Sequence, residues 1–407
     1  MQDILTQILQ PNDTKILLCL LDGLGGLPLN GKTELEAAST PNLDELAKNS
    51  ACGLHIPVAP GITPGSGPAH LGLFGYDPLK FEIGRGILEA LGLGMEVTRN
   101  DIAVRGNFAS VKYKGEEPIV TDRRAGRIST EENKRITSKI VQEIHEIEGV
   151  KIKMVSGMEH RFALVFTFPE PLRENSDDIS DTDPQIVGGK PIFPNAGCKE
   201  AEHVSTIADK FIKKVSRIIR DEPVANYILL RGFSMHPNLT PYSEAYGLRA
   251  GCIATYPMYR GVAKLVGMEV LEVADNSIES EIETLKRHYE EFDFFYFHIK
   301  KTDSYGEDGN FDAKAKVIEE FDNVIPKILD LSPDVLVVTG DHSTPSVMKS
   351  HSWHPVPFLL SSSNVRGGES TGFSERECLK GELGLFKATE AMTLILSHAG
   401  RLQKFGA

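Results

Sequence analysis

The chain has 407 residues, of which 41% are hydrophobic and 25% are charged, and its formal net charge is −13. One hydrophobic core rarely serves a chain of this length, so we expect two structural units. A charge this negative excludes nucleic acid and anionic membranes as general partners, and an anionic small-molecule substrate then needs metal ions or a local basic cluster.

The first predicted element is a buried strand that ends at an aspartate. The run Ile16–Leu21 is apolar throughout and is followed by Asp22 and a glycine-rich turn. Such a run is typical of a central parallel strand that is buried on both faces. Ligands of open α/β sheets bind at the carboxyl ends of these strands, which makes Asp22 a candidate site residue. Further on, Thr40 and Pro41 predict the start of a helix.

A turn rich in glycine and proline, residues 61–70, contains Ser66 and precedes an apolar, helix-like run. Its glycines accept backbone angles that other residues avoid, and its prolines each fix one angle. A serine held in this way can lie at a helix N-terminus, where unpaired N–H groups favour an anion such as phosphate. Read alone, Ser66 fits an ordinary helix cap better. The hypothesis that it is a nucleophile depends on other groups that activate it.

The residue pattern changes between about 101 and 249, and we expect an inserted, smaller α/β (α+β) domain there. The core domain then consists of 1–100 and 250–407. The insert is predicted to contain, in chain order, strands over 103–111 and 160–166 with a single amphipathic helix over 131–149 between them, an exposed loop over 174–194, a helix over 200–220 and a strand over 227–230.

The first pattern returns near residue 250. Short apolar runs predict strands over 251–254, 292–299, 335–340 and 355–360, and amphipathic spacing predicts helices over 258–266 and 313–329. The core is therefore expected to be α/β with a mostly parallel sheet. We find no internal repeats.

Three aspartates, Asp22, Asp303 and Asp341, follow apolar strands. Neighbouring parallel strands would bring their carboxylates to one sheet edge, where they repel one another unless cations lie between them. Each residue alone fits a structural role, so the prediction depends on the joint pattern. Carboxylate and imidazole together suit Zn, Mn or related ions better than Ca. The adjoining loops add His342, Glu307, His351 and, directly before a proline, His354.

The insert also carries a basic cluster. Arginine presents a planar fork that suits phosphate and carboxylate groups. The alternative is a solvated turn with surface ion pairs. Arg260 and Lys264, on one face of a predicted helix, extend this cluster or are simply exposed. The residues of the cluster are Arg105, Asp122, Arg123, Arg124, Arg127, His160 and Arg161.

The five cysteines form no C-x-x-C pair. An odd number at scattered positions argues against a disulfide framework or a zinc-thiolate site and predicts a reducing, cytoplasmic location. The first residues lack the basic segment of a signal peptide. No apolar run reaches the length of a membrane span.

Several stretches together resemble the archaeal-type, cofactor-independent phosphoglycerate mutases, which also occur in bacteria and belong to the alkaline phosphatase superfamily. The resemblance runs nearly end to end, because the motifs recur in order. They are residues 21–25 (LDGLG), 31–33 (GKT), 38–44 (ASTPNLD), 64–66 (PGS), 69–71 (AHL), 75–78 (GYDP), 122–127 (DRRAGR) and 340–345 (GDHSTP).

The resemblance implies an alkaline-phosphatase-like core with an inserted transferase domain. It implies interconversion of 3-phosphoglycerate and 2-phosphoglycerate, in glycolysis and gluconeogenesis, without 2,3-bisphosphoglycerate. It also implies two divalent metal ions, commonly manganese with Mg, Co or Zn as alternatives, and a phosphorylated nucleophile at Ser66. The basic residues of the insert and its borders would bind the phosphoglycerate. One metal would be held by Asp22, Ser66, Asp341 and His342, and the other by Asp303, Glu307 and His351.

The sequence departs from the family's pattern at two places. Glu307 stands where the family usually has a histidine, which affects the preference for one metal over another. Gly67 and Pro68 follow the serine where an acidic residue and a threonine are common. Two alternatives to a mutase stay open: a metal-dependent phosphomonoesterase or other phosphomutase on the same core, and a metal-binding regulatory protein without turnover. The sequence does not determine the oligomeric state.

Overall fold

The computed structural model describes residues 2–81, 83–367 and 370–406. Its contacts divide the chain into two compact units, a core unit formed by Met1–Glu82 with Leu239–Ala407 and an inserted unit formed by Ile83–Asn238. Both boundaries lie earlier than the positions 101 and 249 expected from the residue pattern. At the first boundary, the helix Arg85–Gly92 packs against strands of the inserted unit. Gly86 permits this close approach, because a Cβ there would lie 2.3 Å from the carbonyl oxygen of Ala103.

The strands are, in chain order, β1 Ile16–Leu21, β2 Ala51–Ile56, β3 Asp101–Lys114, β4 Glu117–Asp122, β5 Glu146–Ile147, β6 Val150–Ser156, β7 Arg161–Thr167, β8 Tyr227–Met235, β9 Ala250–Ala254, β10 Glu269–Val270, β11 Phe294–Ile299, β12 Val335–Thr339, β13 Val356–Ser362 and β14 Gly384–Lys387.

The α-helices are α1 Gln2–Ile8, α2 Glu34–Ala37, α3 Pro41–Lys48, α4 Ser66–Leu73, α5 Arg85–Gly92, α6 Thr130–Glu143, α7 Glu202–Ile218, α8 Tyr242–Ala245, α9 Pro257–Leu265, α10 Ile278–His288, α11 Lys301–Asp308, α12 Phe311–Asp322, α13 Ile325–Leu329, α14 Glu375–Cys378 and α15 Ala391–His398. Single 3₁₀ turns span Ala125–Arg127, Lys199–Ala201, Tyr289–Glu291 and Ala388–Glu390. No described helix combines the length and the apolar character that crossing a membrane requires.

The core unit is built on an eight-stranded sheet in the order β10-β9-β11-β1-β12-β13-β2-β14. Strands β9, β11, β1 and β12 run parallel, and β13 is antiparallel to both of its neighbours. Every residue of β1, β11 and β12 is buried, as their apolar composition predicts. Leu21 pairs with Ile299, and Leu20 with Thr339. The residues that follow these three strands therefore lie side by side at the carboxyl edge of the sheet.

Helices α10, α12 and α13 bury their apolar faces against β1, β11 and β12 in one continuous core. The sequence predicted a single helix over 313–329, and this prediction is wrong in one respect. The structure has two helices, and Pro326 lies in the first turn of the second. Proline lacks the N–H group that an uninterrupted helix would need there.

The inserted unit contains a six-stranded sheet in the order β4-β3-β7-β6-β5, with β8 pairing with β3, and its strand pairs are antiparallel. Helices α6 and α7 pack on it through one apolar core. The helix predicted over 131–149 ends at Glu143. Ile144 and Ile147 are buried, as their spacing suggested, but they are extended because Glu148 and Gly149, both at positive φ, form a tight hairpin turn.

The predicted loop over 174–194 contains no helix or strand among the described residues. It is not uniformly exposed, however. Ser176, Thr182 and Asp183 are buried, and Thr182 exchanges backbone and side-chain hydrogen bonds with Leu230 of β8. A polar loop can be buried when its polar groups find partners in this way.

Candidate metal and nucleophile site

The carboxyl edge of the core sheet brings together Asp22, Asp341 and His342, all fully buried. Nε2 of His342 lies 3.4 Å from Oδ1 of Asp22 and 3.3 Å from Oδ2 of Asp341. The register of β1 and β12 explains the arrangement, since Asp22 directly follows β1 and Asp341 follows β12 with only Gly340 between. Three donor atoms from two loops thus converge on one point.

The hydrogen bonds of Thr344 determine which nitrogen of His342 is free. The Thr344 hydroxyl donates to Oδ1 of Asp303 at 2.6 Å, and lies 3.0 Å from Nδ1 of His342. Because the hydroxyl proton is already used, Nδ1 must carry a proton and donate it to Thr344. Nε2 of His342 is then unprotonated, and its lone pair points at the two aspartates. A neutral imidazole in this form can bind a metal ion.

Ser66 is the first residue of α4, and its hydroxyl lies 3.2 Å from Nε2 of His342. The backbone carbonyl of Ser66 accepts a hydrogen bond from Nδ1 of His70, one turn later, at 2.8 Å. The same Nδ1 lies 3.1 Å from Oδ2 of Asp341. Burial lowers the pKa of His70, but the charge of Asp341, its hydrogen bond with His70 and the charge of Asp22 together raise that pKa above its usual value. The half-buried Ser66 therefore contacts the carboxylate cluster through His342 and His70.

A second group of possible ligands consists of Asp303, His342 and His351. Nδ1 of His351 donates to the carbonyl oxygen of Pro64 at 2.9 Å, so Nε2 is the ring nitrogen that faces the other possible ligands. This Nε2 lies 3.5 Å from Oδ1 of Asp303 and 3.7 Å from Oε1 of Glu307. Asp303 and Glu307 stand one turn apart on α11, and the Glu307 side chain is 55% exposed.

The charges of these groups suit a divalent cation. Oδ1 of Asp22 is buried and has no hydrogen-bond partner among the described residues. Burial and the charge of Asp341 raise the pKa of Asp22, but the imidazole of His298, 3.5 Å away, and the charges of Lys300 and His342 bring it below its usual value. Burial lowers the pKa of His342. At neutral pH the cluster therefore offers ionised carboxylate and neutral imidazole, and the residues fit a metal ion.

Sequence reasoning missed Lys300. Its ammonium donates to Oδ2 of Asp22 at 3.0 Å, to Oδ2 of Asp303, and to the hydroxyl of Tyr259 at 3.1 Å. Burial lowers the pKa of Lys300, but the two carboxylates raise it above its usual value. Tyr259 stacks on His298 with ring centres 3.8 Å apart. A signal was present, because Lys300 follows β11 directly, as Asp22 follows β1.

His354 lies outside both groups. Its Nδ1 is 3.1 Å from the hydroxyl of Ser352, and its ring stacks on Trp353. Arg260, on α9, forms an ion pair with Glu272. The remaining predicted residue of that helix, Lys264, is exposed.

In the inserted unit, Arg105 is central to a group of cationic side chains. It pairs across the sheet with Arg231 of β8, and Arg161 lies on the neighbouring strand β7. Burial and the charges of Arg161, Arg231 and Arg85 lower the pKa of Arg105, and Glu89, 3.6 Å away, opposes them. Arg85 and Arg231 are isolated in the sequence, so no local pattern indicated them.

His160 adjoins this group. Burial, followed by the charge of Arg161, lowers the pKa of His160 to about 4. The imidazole is therefore neutral at physiological pH and can accept or donate a hydrogen bond without adding charge.

The 122–127 turn divides into structural and exposed residues. Nε and Nη2 of Arg123 donate hydrogen bonds to the buried carboxylate of Asp183, at 2.7 and 2.8 Å, and Asp183 also lies 3.4 Å from Arg231. Asp122 accepts hydrogen bonds from the backbone N–H groups of Arg124 and Gly126. The Arg124 and Arg127 side chains, in contrast, are exposed.

Comparison with known proteins identifies consistent relatives. A family model described as 2,3-bisphosphoglycerate-independent phosphoglycerate mutase matches residues 47–225. Proteins named probable 2,3-bisphosphoglycerate-independent phosphoglycerate mutase are 59% identical in Aquifex aeolicus, over 100% of both chains, and 54% identical in Thermotoga neapolitana, over 100% of this chain and 99% of the relative. A solved cofactor-independent phosphoglycerate mutase from Thermoplasma acidophilum is similar with a TM-score of 0.77 and 28% identity, over 95% of this chain and 100% of that one. A solved protein from Pyrococcus horikoshii is similar with a TM-score of 0.80 and 30% identity, over 98% of this chain and 100% of that one.

Proposed function

The chain belongs to the 2,3-bisphosphoglycerate-independent phosphoglycerate mutases, and we infer that it interconverts 3-phosphoglycerate and 2-phosphoglycerate without a bisphosphoglycerate cofactor. We propose that the reaction proceeds through a phosphoserine at Ser66. The supporting observation is the position of the Ser66 hydroxyl, at the N-terminus of α4 and 3.2 Å from the unprotonated Nε2 of His342. A hydroxyl in this setting lies next to donors for a phosphate and beside a donor atom of the proposed metal site, where a bound cation would lower its pKa.

Two divalent cations are proposed for the site, with manganese expected and Mg, Co or Zn as alternatives. When bound, they would offset the negative charge of the phosphate and lower the pKa of the Ser66 hydroxyl. The converging donor atoms and the unpartnered Oδ1 of Asp22 support this assignment. One ion would be held by Asp22, Ser66, Asp341 and His342, and the other by Asp303, Glu307 and His351.

The chain's own residues account for the transfer as follows. The Ser66 oxygen forms a bond to phosphorus while the bond from phosphorus to the glycerate oxygen breaks, and the proton lost by the Ser66 hydroxyl is balanced by the proton that the glycerate oxygen takes up. The N–H groups in the first turn of α4 receive the phosphoryl oxygens. The glycerate then turns, its other hydroxyl loses a proton, and its oxygen forms a bond to phosphorus. The bond from phosphorus to the Ser66 oxygen breaks, and that oxygen takes up a proton, which restores the free serine.

The inserted unit is proposed to bind the substrate's anionic groups. Arg105 and Arg161 lie in one cationic group together with Arg85 and Arg231, and His160 adjoins it. The exposed Arg124 and Arg127 are free to contact the substrate. Arg123 and Asp122 are proposed to act indirectly, Arg123 through Asp183 and Asp122 by shaping the turn. In the core unit, Arg260 and Lys264 remain candidates for an outer contact.

We propose a cytoplasmic location, because the expected reaction belongs to glycolysis, and cell fractionation would test it. Free cysteines agree with a reducing compartment.

A mutase assay on the metal-loaded protein tests the proposed function. We expect conversion of 3-phosphoglycerate at the same rate with and without 2,3-bisphosphoglycerate, and little free phosphate. If free phosphate is the main product, the chain is a phosphomonoesterase and the proposal is wrong. If other phosphorylated metabolites are isomerised faster, phosphoglycerate is not the preferred substrate, but the proposed phosphomutase reaction is still supported.

A further inference from the structure

We propose that Lys314 is a positioning residue that fixes the two loops from which the metal ligands and the Ser66 partner His342 arise. Lys314 lies on α12, and its side chain is completely buried. Its ammonium donates hydrogen bonds to the carbonyl oxygens of Gly23 at 2.8 Å, Gly25 at 3.1 Å and Thr344 at 2.9 Å. An ammonium has three donors and no acceptor, so each of its protons has one carbonyl partner.

These carbonyls belong to the segments directly after Asp22 and after the Asp341–His342 pair. The Thr344 peptide links the segments, because its N–H group donates to the same carbonyls of Gly23 and Gly25, at 3.2 and 3.0 Å. The Thr344 side chain in turn contacts Asp303 and His342. A displacement of the Thr344 peptide would therefore move ligands of both proposed metal ions.

The junction has no space to absorb such a displacement. Gly23 has a φ of +63°, and a Cβ there would lie 2.5 Å from the hydroxyl oxygen of Thr344. A Cβ on Gly306 of α11 would lie 2.3 Å from the carbonyl oxygen of Thr344. Because close-packed segments transmit small shifts, the ammonium that holds this carbonyl also sets the ligand geometry.

The charge of Lys314 is costly for stability alone. Among the described residues, Lys314 forms no ion pair. Burial lowers the pKa of Lys314, and the nearby charges of Glu34 and Glu375 oppose that effect. The two carboxylates bind N–H groups of the same loops: Glu34 accepts from Ser346 at 2.8 Å and Glu375 from Gly26 at 2.9 Å. Burying Lys314 and Glu34 beside apolar core, with Glu375 partly buried next to them, is rarely the most stable choice, and their shared target is the backbone of the ligand loops.

The inference rests on the proposed function, and it predicts an effect on metal binding as well as on turnover. Groups that orient metal ligands typically change metal affinity by about 10- to 100-fold when they are removed. We therefore expect Lys314→Met, which retains the length and volume of the side chain but has no donors, to weaken Mn²⁺ binding at least about tenfold. At saturating Mn²⁺ we expect kcat to fall with little change in KM, since Lys314 does not touch the substrate.

The test compares three variants of the full chain by Mn²⁺ titration calorimetry after chelation, by kinetics and by thermal unfolding. Lys316→Met, an exposed lysine on the same helix, is the matched control and should behave as wild type. Val317→Ala, in the buried face of the same helix, controls for loss of stability alone. If Lys314→Met does not fold, Lys314→Arg replaces it, because a planar guanidinium cannot direct three protons to these three converging carbonyls.

Equal Mn²⁺ affinity in the Lys314 and Lys316 variants would overturn the inference, and so would a loss of affinity no larger than that of Val317→Ala at equal loss of stability. Failure of the proposed function looks different. In that case the wild-type protein binds Mn²⁺ but does not isomerise phosphoglycerate, and the effect of Lys314 on Mn²⁺ affinity can still be measured.

Discussion

At the scale of single residues, Asp341 offers a direct test of the metal site. Its carboxylate is fully buried and lies within 3.3 Å of the unprotonated Nε2 of His342. We expect Asp341→Asn to lose bound metal and to lose activity by about 100-fold or more, while circular dichroism shows the fold retained. The exposed Asp312→Asn is the control. Full metal content in an inactive Asp341→Asn protein would show that Asp341 has another role.

Glu307 tests the choice of metal. It is the most exposed of the proposed ligands, and its Oε1 lies 3.7 Å from Nε2 of His351. An oxygen ligand favours harder ions, so we expect the wild type to prefer Mn or Mg and Glu307→His to shift the preference toward Zn. Activity titrated with each ion, on chelated protein, measures this shift. Asp308→His, at the exposed position next to it, is the matched control. Identical profiles for wild type and Glu307→His would remove Glu307 from the ligand set.

Arg123 and Arg124 are neighbours with different expected roles. Removing Arg123 leaves the buried carboxylate of Asp183 with fewer partners, so we expect Arg123→Ala to lower the free energy of unfolding by about 1–3 kcal/mol. Arg124→Ala, at an exposed position, should change it by less than about 0.5 kcal/mol but raise KM for phosphoglycerate. Urea unfolding and steady-state kinetics on both variants distinguish these effects. Equal stability of the two variants would contradict the structural role of Arg123.

The site was only partly predictable at this scale. Asp22 and Asp341 were predicted to lie together at the sheet edge because they follow apolar strands, a pattern visible in the sequence, and the structure brings them together. Lys300 stands at an equivalent position, yet the ionic partners that make it significant come from other segments. Lys314 is one lysine of an ordinary amphipathic helix, and no local pattern shows that its ammonium meets three carbonyls from distant loops. Arg85 and Arg231 were missed for the same reason.

At the scale of elements, predictability follows burial. Strands β1, β11 and β12 were recognised because strands buried on both faces have continuous apolar runs. Strand β2 contains Gly53 and His55 and was not recognised, since its polar residue is satisfied only by tertiary contacts. The helix predicted over 131–149 was too long because Ile144 and Ile147 keep a helical spacing while they pack from extended backbone. Burial is therefore easier to predict than backbone conformation.

His55 links elements and predicts a pH dependence. Its Nε2 donates to the carbonyl oxygen of Gly340, just after β12, and burial lowers the pKa of His55 to about 4. In the unfolded chain the His55 imidazole binds a proton below about pH 6.5, whereas in the native protein it stays neutral down to about pH 4. Stability is therefore lost as the pH falls through this range, by up to about 3 kcal/mol from this residue.

Urea unfolding of chelated protein between pH 7 and pH 4.5 measures this loss. In His55→Gln, which retains an N–H donor but does not titrate, we expect a smaller decrease of unfolding free energy over the same range. A decrease as steep as that of the wild type would show that other groups cause the acid sensitivity. The partly exposed His288, whose side chain is 26% accessible and paired with Glu291, provides a control substitution to Gln.

At the scale of the whole molecule, the two units differ in the charged residues that they bring together. The acidic chain concentrates carboxylates at one sheet edge of the core unit and arginines on the sheet of the inserted unit. The overall negative charge therefore does not conflict with an anionic substrate, because we propose that these arginines bind it locally. The resemblance to a family supplied the substrate, which composition alone left open.

The route of the phosphate is the property that separates a mutase from a phosphatase with the same nucleophile. If glycerate stays bound while Ser66 carries the phosphate, the phosphate returns to the same glycerate molecule. We therefore expect that a mixture of phosphate-labelled 3-phosphoglycerate and carbon-labelled 3-phosphoglycerate gives 2-phosphoglycerate in which the two labels remain in separate molecules. Mass spectrometry of the product measures the fraction that carries both labels.

Two variants make the experiment specific to the proposed residues. Ser66→Ala should abolish transfer. Among the hydroxyl groups of the described residues, that of Ser66 forms the hydrogen bond with Nε2 of His342, at 3.2 Å, and no second hydroxyl does so. Arg124→Ala should increase both label crossing and free phosphate, since glycerate that is held less firmly dissociates or gives way to water before the phosphate returns. Extensive crossing in the wild type would exclude retention of glycerate. Substantial transfer by Ser66→Ala would exclude the phosphoserine, and with it the assignment of α4 as the element that receives the phosphate.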